Sequence, residues 1–249
     1  MINEVSFKIW RGNKNVGKFE QYSTDISDCI VVLDAVLKIQ REEANNLAVR
    51  WNCKAGKCGS CSAEVNGHPK LMCMTRLNEI DTNTPVTVEP MKTFPLIRDL
   101  VTDVSWNFSV KKKIKKFKPR RPDNKDGSWT IFQNDIDRVQ EFRKCIECYL
   151  CQDVCHVLRE HSLHQRFIGP RFLIHAASLD MHPLDSENRL EDLKTDHGIG
   201  YCNITKCCTN VCPEEIKITD NAIIPLKERV VDEFYDPVKK LLRIFKKNN

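Results

Sequence analysis

The chain has 249 residues, 41% of them hydrophobic, enough for one large domain or two small ones, each with its own core. Its net charge of +5 is local, because KKKIKKFKPRR at 111–121 holds eight positive residues and the remainder sums to −3; a nucleic-acid face would spread Lys and Arg over a folded surface with aromatics between them. Thirteen cysteines, twelve of them gathered at 53–73, 145–155 and 202–212 with Cys29 alone, point to metal ligation rather than to a short secreted disulfide scaffold.

Taken in chain order, Met1 to Trp10 reads as a first strand rather than a cleavable leader, with Val5, Phe7 and Ile9 on one face. A turn near Gly12 to Gly17 closes a hairpin that leaves through Phe19 and Tyr22. Ser27 is placed to cap a helix in which Ile30, Leu33, Val36 and Leu37 recur at helical spacing to about Glu43, and Cys29 falls on its apolar face. Strands are expected at Leu47–Trp51, Ser62–Val65, Leu71–Met74 and Val86–Val88, with Asn66-Gly67 as a hairpin turn. Hairpins, one crossing helix and a cysteine loop make a small α+β domain of about 100 residues.

Residues 109–128 have the composition of a connector, with a lysine run, Pro119, Pro122 and the turn pairs Asp123-Asn124 and Asp126-Gly127. Such a run is usually a solvated linker; docking to an acidic partner or anionic lipid is the sharper alternative. Beyond Trp129 the periodicity is helical. Ile136, Val139, Phe142 and Ile146 share a face, Gly169-Pro170 opens a helix through Leu179, and Ile223 to Phe234 forms another in which Pro225 introduces a kink or opening. The expected domains are therefore 1–108, a basic linker at 109–128, and a mainly α-helical domain at 129–249. No apolar stretch nears the roughly 20 residues that span a bilayer, so a soluble, cytoplasmic chain is expected, with any membrane role coming through a partner.

The first cysteine group, Cys53, Cys58, Cys61 and Cys73, has the C-x4-C-x2-C…C spacing that holds a [2Fe–2S] cluster. Gly56 and Gly59 suit a loop in which backbone N–H groups must approach the sulfurs closely. Zinc, which favours two paired hooks, is the competing reading. Cys145, Cys148, Cys151 and Cys155 follow the C-x2-C-x2-C-x3-C run of two-cluster ferredoxins, where the fourth cysteine serves the other cluster. Its counterpart is Cys202, Thr205, Cys208 and Cys212-Pro213. The ligands then cross over: Cys145, Cys148, Cys151 and Cys212 for [4Fe–4S], and Cys155, Cys202 and Cys208 for the other cluster. Thr205 supplies no thiolate, which points to [3Fe–4S]. Cys207 is an additional candidate ligand that would make this cluster a second [4Fe–4S]; because adjacent side chains generally point apart, it also reads as a buried non-ligand thiol. His156, His161 and His164 form no haem or Rieske pattern, and neither a dinucleotide fingerprint nor a nucleophile–base pair is present. Three clusters in two domains make a wire that passes one electron at a time.

NCKAGKCGSC, the hairpin to Cys73, FPLIRDLVTDVSW, CIECYLC, FIGP and CNITKCCTNVCP together closely resemble the iron–sulfur subunit of succinate dehydrogenase and fumarate reductase, respiratory complex II, over essentially the whole chain. The resemblance implies a β-grasp [2Fe–2S] ferredoxin-like domain followed by the helical two-cluster domain. It also implies a flavoprotein partner with covalent FAD that interconverts succinate and fumarate. Membrane-anchor subunits with quinone complete the assembly, their haem content being open, and hold the chain peripherally at the cytoplasmic face of the cell membrane. No nucleic acid is expected, and no catalytic residue lies in this chain. Glu160 and Asn203 stand where many members have a tryptophan and a histidine beside quinone, so no quinone-site residue is carried over. The alternatives are a ferredoxin-like adaptor of another dehydrogenase and a zinc-stapled interaction protein.

Overall fold

Period-two alternation builds the first sheet. In the computed structural model, which describes residues 4–237, β1 (Glu4–Gly12) and β2 (Gly17–Asp25) form an antiparallel hairpin with Gly12 opposite Gly17. Val5, Phe7 and Ile9 fall on one face and are buried. Only glycine fits at Gly12: its φ is +148°, and an added Cβ would lie 2.3 Å from the Val16 carbonyl oxygen. Met1 to Asn3, the expected start of this strand, lie outside the described residues.

β3 (Ser62–Val65) and β4 (His68–Leu71) form a second hairpin, and β5 (Val86–Glu89) runs parallel to β1 and antiparallel to β3, giving the order β2-β1-β5-β3-β4. Asn66 and Gly67 turn the second hairpin with φ of 50° and 74°, the primed geometry that matches strand twist. The helix Val32–Glu42 puts Leu33, Val36 and Ile39 into one core with Phe7 and Val88. This mixed sheet crossed by one helix is the expected α+β arrangement. A small hairpin of β6 (Leu96–Arg98) and β7 (Val101–Thr102) was not foreseen.

Three local expectations are corrected. Ser27 does not cap the helix; its N–H and hydroxyl both turn to Asp25 Oδ1 (3.0 and 2.5 Å), while Asp34 Oδ2 accepts the backbone N–H of Ile30 and Val31 (3.2 Å each). The helix therefore begins at Val32, leaving Ile30 exposed and Cys29 ahead of the helix, packed half-buried against the core. Leu47–Trp51 is not a strand, because Ala48 donates to Asp99 Oδ2 (2.8 Å) and accepts from Leu100 (3.2 Å), so its backbone is satisfied without a ladder. The expected strand Leu71–Met74 is a turn after Leu71, since a two-residue hairpin loop pins β4 to residues 68–71.

The chain divides into two compact units. One comprises the described residues up to Asn107 with Ile146–Val154 and Val211–Glu214; the other comprises Phe108–Cys145, Cys155–Asn210 and the described residues from Glu215 onward. Within the first, Cys148 and Leu150 join the hydrophobic core, and Asp153 accepts the Thr93 N–H (3.0 Å).

The second unit is helical. Pro170 begins the helix Pro170–Asp180 after Gly169 (φ 79°), and Phe172, Leu173, Ala176 and Ala177 are buried. Ile218–Ile223 forms a π-helical turn that runs directly into the helix Ile224–Phe234, so Pro225 follows a locally widened turn, the opening its ring and missing N–H call for. The lysine run starts inside the helix Ser105–Lys113 and is tied down beyond it. Buried Arg189 donates to the carbonyls of Lys115 (2.9 Å) and Lys116 (2.7 Å) and pairs with Asp185 (2.9 Å), and Arg120 N–H donates to Leu184 O (2.8 Å). The charges of the run face outward while its backbone is anchored. Among the described residues no helix is long and apolar enough to cross a membrane.

Candidate metal centres

The loop ahead of β3 carries Cys53, Cys58 and Cys61. Lys54, Gly56 and Gly59 all have positive φ (54°, 67° and 67°), and this winding turns backbone N–H groups inward. Ala55 and Lys57 donate to Cys53 Sγ (3.4 and 3.3 Å), and Ser60 donates to Cys58 Sγ (3.5 Å). Amides aimed at sulfur stabilise thiolate charge and tune a bound metal. Cys73 follows β4, and Met72 N–H donates to Cys61 O (3.2 Å), so buried Cys73 stands beside buried Cys61. A Cβ on Gly59 would meet Cys148 Cα at 2.5 Å; the close approach explains the glycine, and Ser62 Oγ, 2.9 Å from the Cys148 carbonyl oxygen, secures it.

Burial pushes the Cys58 thiol up, but hydrogen bonds from Ser60 and Cys53 outweigh it and bring it down to about 7. At Cys61 burial wins, and the thiol is pushed up to about 12.

In the second run, Cys148 and Cys151 are buried and Cys212 is half-buried, all within the first unit; half-buried Cys145 belongs to the second. Glu147 and Tyr149, both left-handed (φ 56° and 63°), bend the backbone on either side of Cys148. Val211, beside Cys212, packs against the first unit's core.

Within the second unit, Cys155, Cys202 and Cys208 line one narrow recess, with Asn203, Thr205 and Cys207. Ile204 and Lys206 are left-handed (both φ 63°), and they curl this loop around the recess. Burial pushes Cys155 up to about 11 and Cys208 up to about 12. Cys207 and its neighbour Cys208 both line this recess, and Cys207 is half-buried rather than the buried thiol expected. On the first turn of the helix Cys207–Asn210, successive side chains diverge by about 100°, which a concave wall accommodates. Glu160 is exposed and lies outside the recess. The rings of His156 and His161 pack edge to face, 6.4 Å apart.

Sequence reasoning expected amides at the sulfurs from Gly56 and Gly59, but not that Ala55, Lys57 and Ser60 supply them. It also missed Thr219, whose Oγ1 lies 3.5 Å from Cys208 Sγ. Among the described residues no group of three His, Cys, Asp or Glu side chains is arranged to hold a single metal ion. The donors are thiols spread along loops and around a recess, with amides directed at their sulfurs, and this donor set fits iron–sulfur clusters.

Comparison with known proteins agrees with that chemistry. A family model described as a 2Fe-2S iron-sulfur cluster binding domain matches residues 6–109, and one described as a 4Fe-4S dicluster domain matches residues 141–216. The fumarate reductase iron-sulfur subunit of Mycobacterium tuberculosis is 32% identical over 202 residues, 80% of each chain. The succinate dehydrogenase iron-sulfur subunit of Paracoccus denitrificans is 27% identical over 236 residues, 92% of this chain and 89% of that one. A chain of the Mycobacterium smegmatis Sdh1 complex in the apo form superposes with a TM-score of 0.91 at 53% identity, over 96% of this chain and 100% of that one. With the α+β sheet, the helical unit and the three groups of thiols already on the page, these similarities settle the family: the chain belongs to the iron–sulfur subunits of succinate dehydrogenase and fumarate reductase.

Proposed function

We propose that the chain relays single electrons between the FAD of a flavoprotein partner and a membrane quinone, as the electron-transfer subunit of a succinate:quinone oxidoreductase. Membership of the family, together with cysteine spacings that match one [2Fe–2S] and two cubane-type sites, carries this reading. In it, Cys53, Cys58, Cys61 and Cys73 hold the [2Fe–2S] cluster; Cys145, Cys148, Cys151 and Cys212 hold [4Fe–4S]; Cys155, Cys202 and Cys208 hold [3Fe–4S]. The division into a [2Fe–2S] domain (1–108), a basic linker (109–128) and a two-cluster domain (129–249) belongs to the same reading, supported by matches at 6–109 and 141–216; the compact units differ from it in grouping Ile146–Val154 and Val211–Glu214 with the first. When bound, each cluster supplies a one-electron step that joins two-electron chemistry at flavin to two-electron chemistry at quinone.

The chain's own residues bind and tune. The buried thiols give up their protons on loading, since only the thiolate is a ligand, and the N–H groups on Cys53 and Cys58 stabilise the charge left on sulfur. The substrate chemistry resides in the flavoprotein, and membrane-anchor subunits hold this chain peripherally at the cytoplasmic face of the cell membrane. Co-purification from native membranes tests the reading. The expected result is a covalently flavinylated subunit, hydrophobic anchor subunits and succinate-dependent reduction of an added quinone. Recovery with a different flavoprotein, without activity on succinate or fumarate, would favour the adaptor reading instead.

A further inference from the structure

Of the thirteen cysteines, Cys29 and Cys207 lie outside the three expected ligand sets. Cys29 packs against the hydrophobic core of the first unit. Cys207 stands differently: its residue lines the recess that also contains Cys155, Cys202 and Cys208, giving four thiols around one volume. Thr205, at the sequence position where a fourth cubane ligand belongs, lines the same recess, and its Oγ1 lies 3.3 Å from Cys207 Sγ, within hydrogen-bond range for sulfur. Thr205 therefore contacts one of the thiols of this recess. The loop supports this placement. Left-handed Ile204 and Lys206 reverse the backbone on both sides of Thr205, and the helix Cys207–Asn210 starts immediately afterwards. Cys155 and Cys208 are buried, whereas Cys207 and Cys202 are half-buried, so the Cys207 corner is among the more accessible ones.

We propose, resting on the cluster assignment above, that Cys207 is a fourth, exchangeable thiolate of this site, so that the site alternates between a closed [4Fe–4S] form and an open [3Fe–4S] form. In the open form Cys207 is a thiol hydrogen-bonded to Thr205. Closing takes one Fe2+ from solution into the reduced three-iron core. The Cys207 S–H bond breaks and its proton leaves to water, one Fe–S bond forms to Cys207, three form to core sulfides, and the Thr205 contact is released. No electron changes hands, because the incoming iron is already ferrous; an oxidised three-iron core must first gain one electron from the relay itself. Cluster type and net charge set the reduction potential, so closing the corner retunes this cluster of the relay with iron supply and redox state.

The test uses the full chain reconstituted anaerobically with iron and sulfide, freed of excess iron, and compared with Cys207→Ala and Cys207→Ser. Wild type should carry about ten irons per chain and lack a three-iron EPR signal after mild oxidation; Cys207→Ala should carry about nine and show that signal. Oxidation with a chelator should bring the signal out in wild type, and reduction with ferrous iron should remove it there but not in Cys207→Ala. The [2Fe–2S] signal reports folding in every sample, and Cys207→Ser covers the case in which alanine fails to fold. A three-iron signal that persists in wild type under excess ferrous iron would overturn the proposal, as would equal uptake of the fourth iron by both variants. Absence of any three- or four-iron signal beside an intact [2Fe–2S] signal would overturn the cluster assignment itself, and this proposal with it.

Discussion

The loop holding Cys53, Cys58 and Cys61 and the recess holding Cys155, Cys202 and Cys208 present the same ligand atom in opposite environments. In the loop, Cys53 is exposed and Cys58 half-buried, and amide N–H groups point at both sulfurs, so charge on sulfur is stabilised before any metal arrives. In the recess, burial dominates and holds Cys155 and Cys208 as neutral thiols. The loop is thus set up by hydrogen bonds and the recess by exclusion of water. Cys61 shows that the contrast belongs to position rather than to domain: it lies deepest in the first group and is pushed up like the recess thiols.

Replacing a proposed ligand is the severest way to break the comparison. Cys58→Ala should abolish the [2Fe–2S] EPR signal and leave the other two in place. Electron throughput of the assembled enzyme should fall by more than about 100-fold, beyond what loss of a supporting group alone costs. Loss of all three signals together would show that the two groups do not load independently.

Next comes pH in the iron-free chain. An ordinary thiol ionises at 9.0, whereas Cys155 and Cys208 are raised to about 11 and about 12. Their folded values lie above the unfolded one, so the folded chain binds more protons in that interval. The stability they contribute is full below about pH 9 and is lost as pH rises toward 11 to 12. Cys58 has the opposite sign: depressed to about 7, its contribution is full above 9 and is lost as pH falls through 7. Iodoacetamide labelling followed by mass spectrometry should therefore modify Cys58 near neutrality and leave Cys155 and Cys208 untouched until strongly alkaline pH; equal labelling of all three at neutral pH would erase the distinction.

A smaller effect separates two glycines of the first unit. Gly59→Ala and Gly67→Ala each force a left-handed residue, costing roughly 1–2 kcal/mol, but only the first also drives a Cβ to 2.5 Å from Cys148 Cα, whereas Gly67 has open space around it. The melting temperature should drop clearly further for Gly59→Ala, and the occupancy of the [2Fe–2S] site should drop with it. The mildest change is Lys57→Ala, which removes the 2.8 Å pair with Glu214 beside the same loop. With the lysine largely exposed, the loss should stay below about 1 kcal/mol in urea unfolding, and a larger loss would show that this pair positions the loop.

Much of the arrangement was legible from residue type and spacing. The Val5-Phe7-Ile9 alternation and the Asn66-Gly67 turn are short-range patterns, and short-range geometry translates them directly into a buried strand face and a hairpin. Long-range competition decided the rest. Ser27 has the chemistry of a cap, but Asp25 captures its hydroxyl, and Asp34 reaches back to the amides that a cap would serve. Leu47–Trp51 has the composition of a strand, yet buried, left-handed Asp99 takes the N–H of Ala48 and of Gly12 (2.8 Å each) and serves as a hub that no local pattern announces. The lysine run looked solvated because its side chains are charged, while its backbone carbonyls are held by Arg189, more than 70 residues away.

The sequence by itself determined which thiols are candidates to meet metal and in what order they come along the chain, because covalent spacing limits how thiols gather around a small inorganic core. Tertiary structure alone decided how each sulfur is conditioned: which accept amide hydrogen bonds, which are stripped of water, and that Cys207 lines the same recess as Cys208. Those properties follow from backbone dihedrals and from packing by distant segments, and the cysteine spacing is the same whichever way they fall.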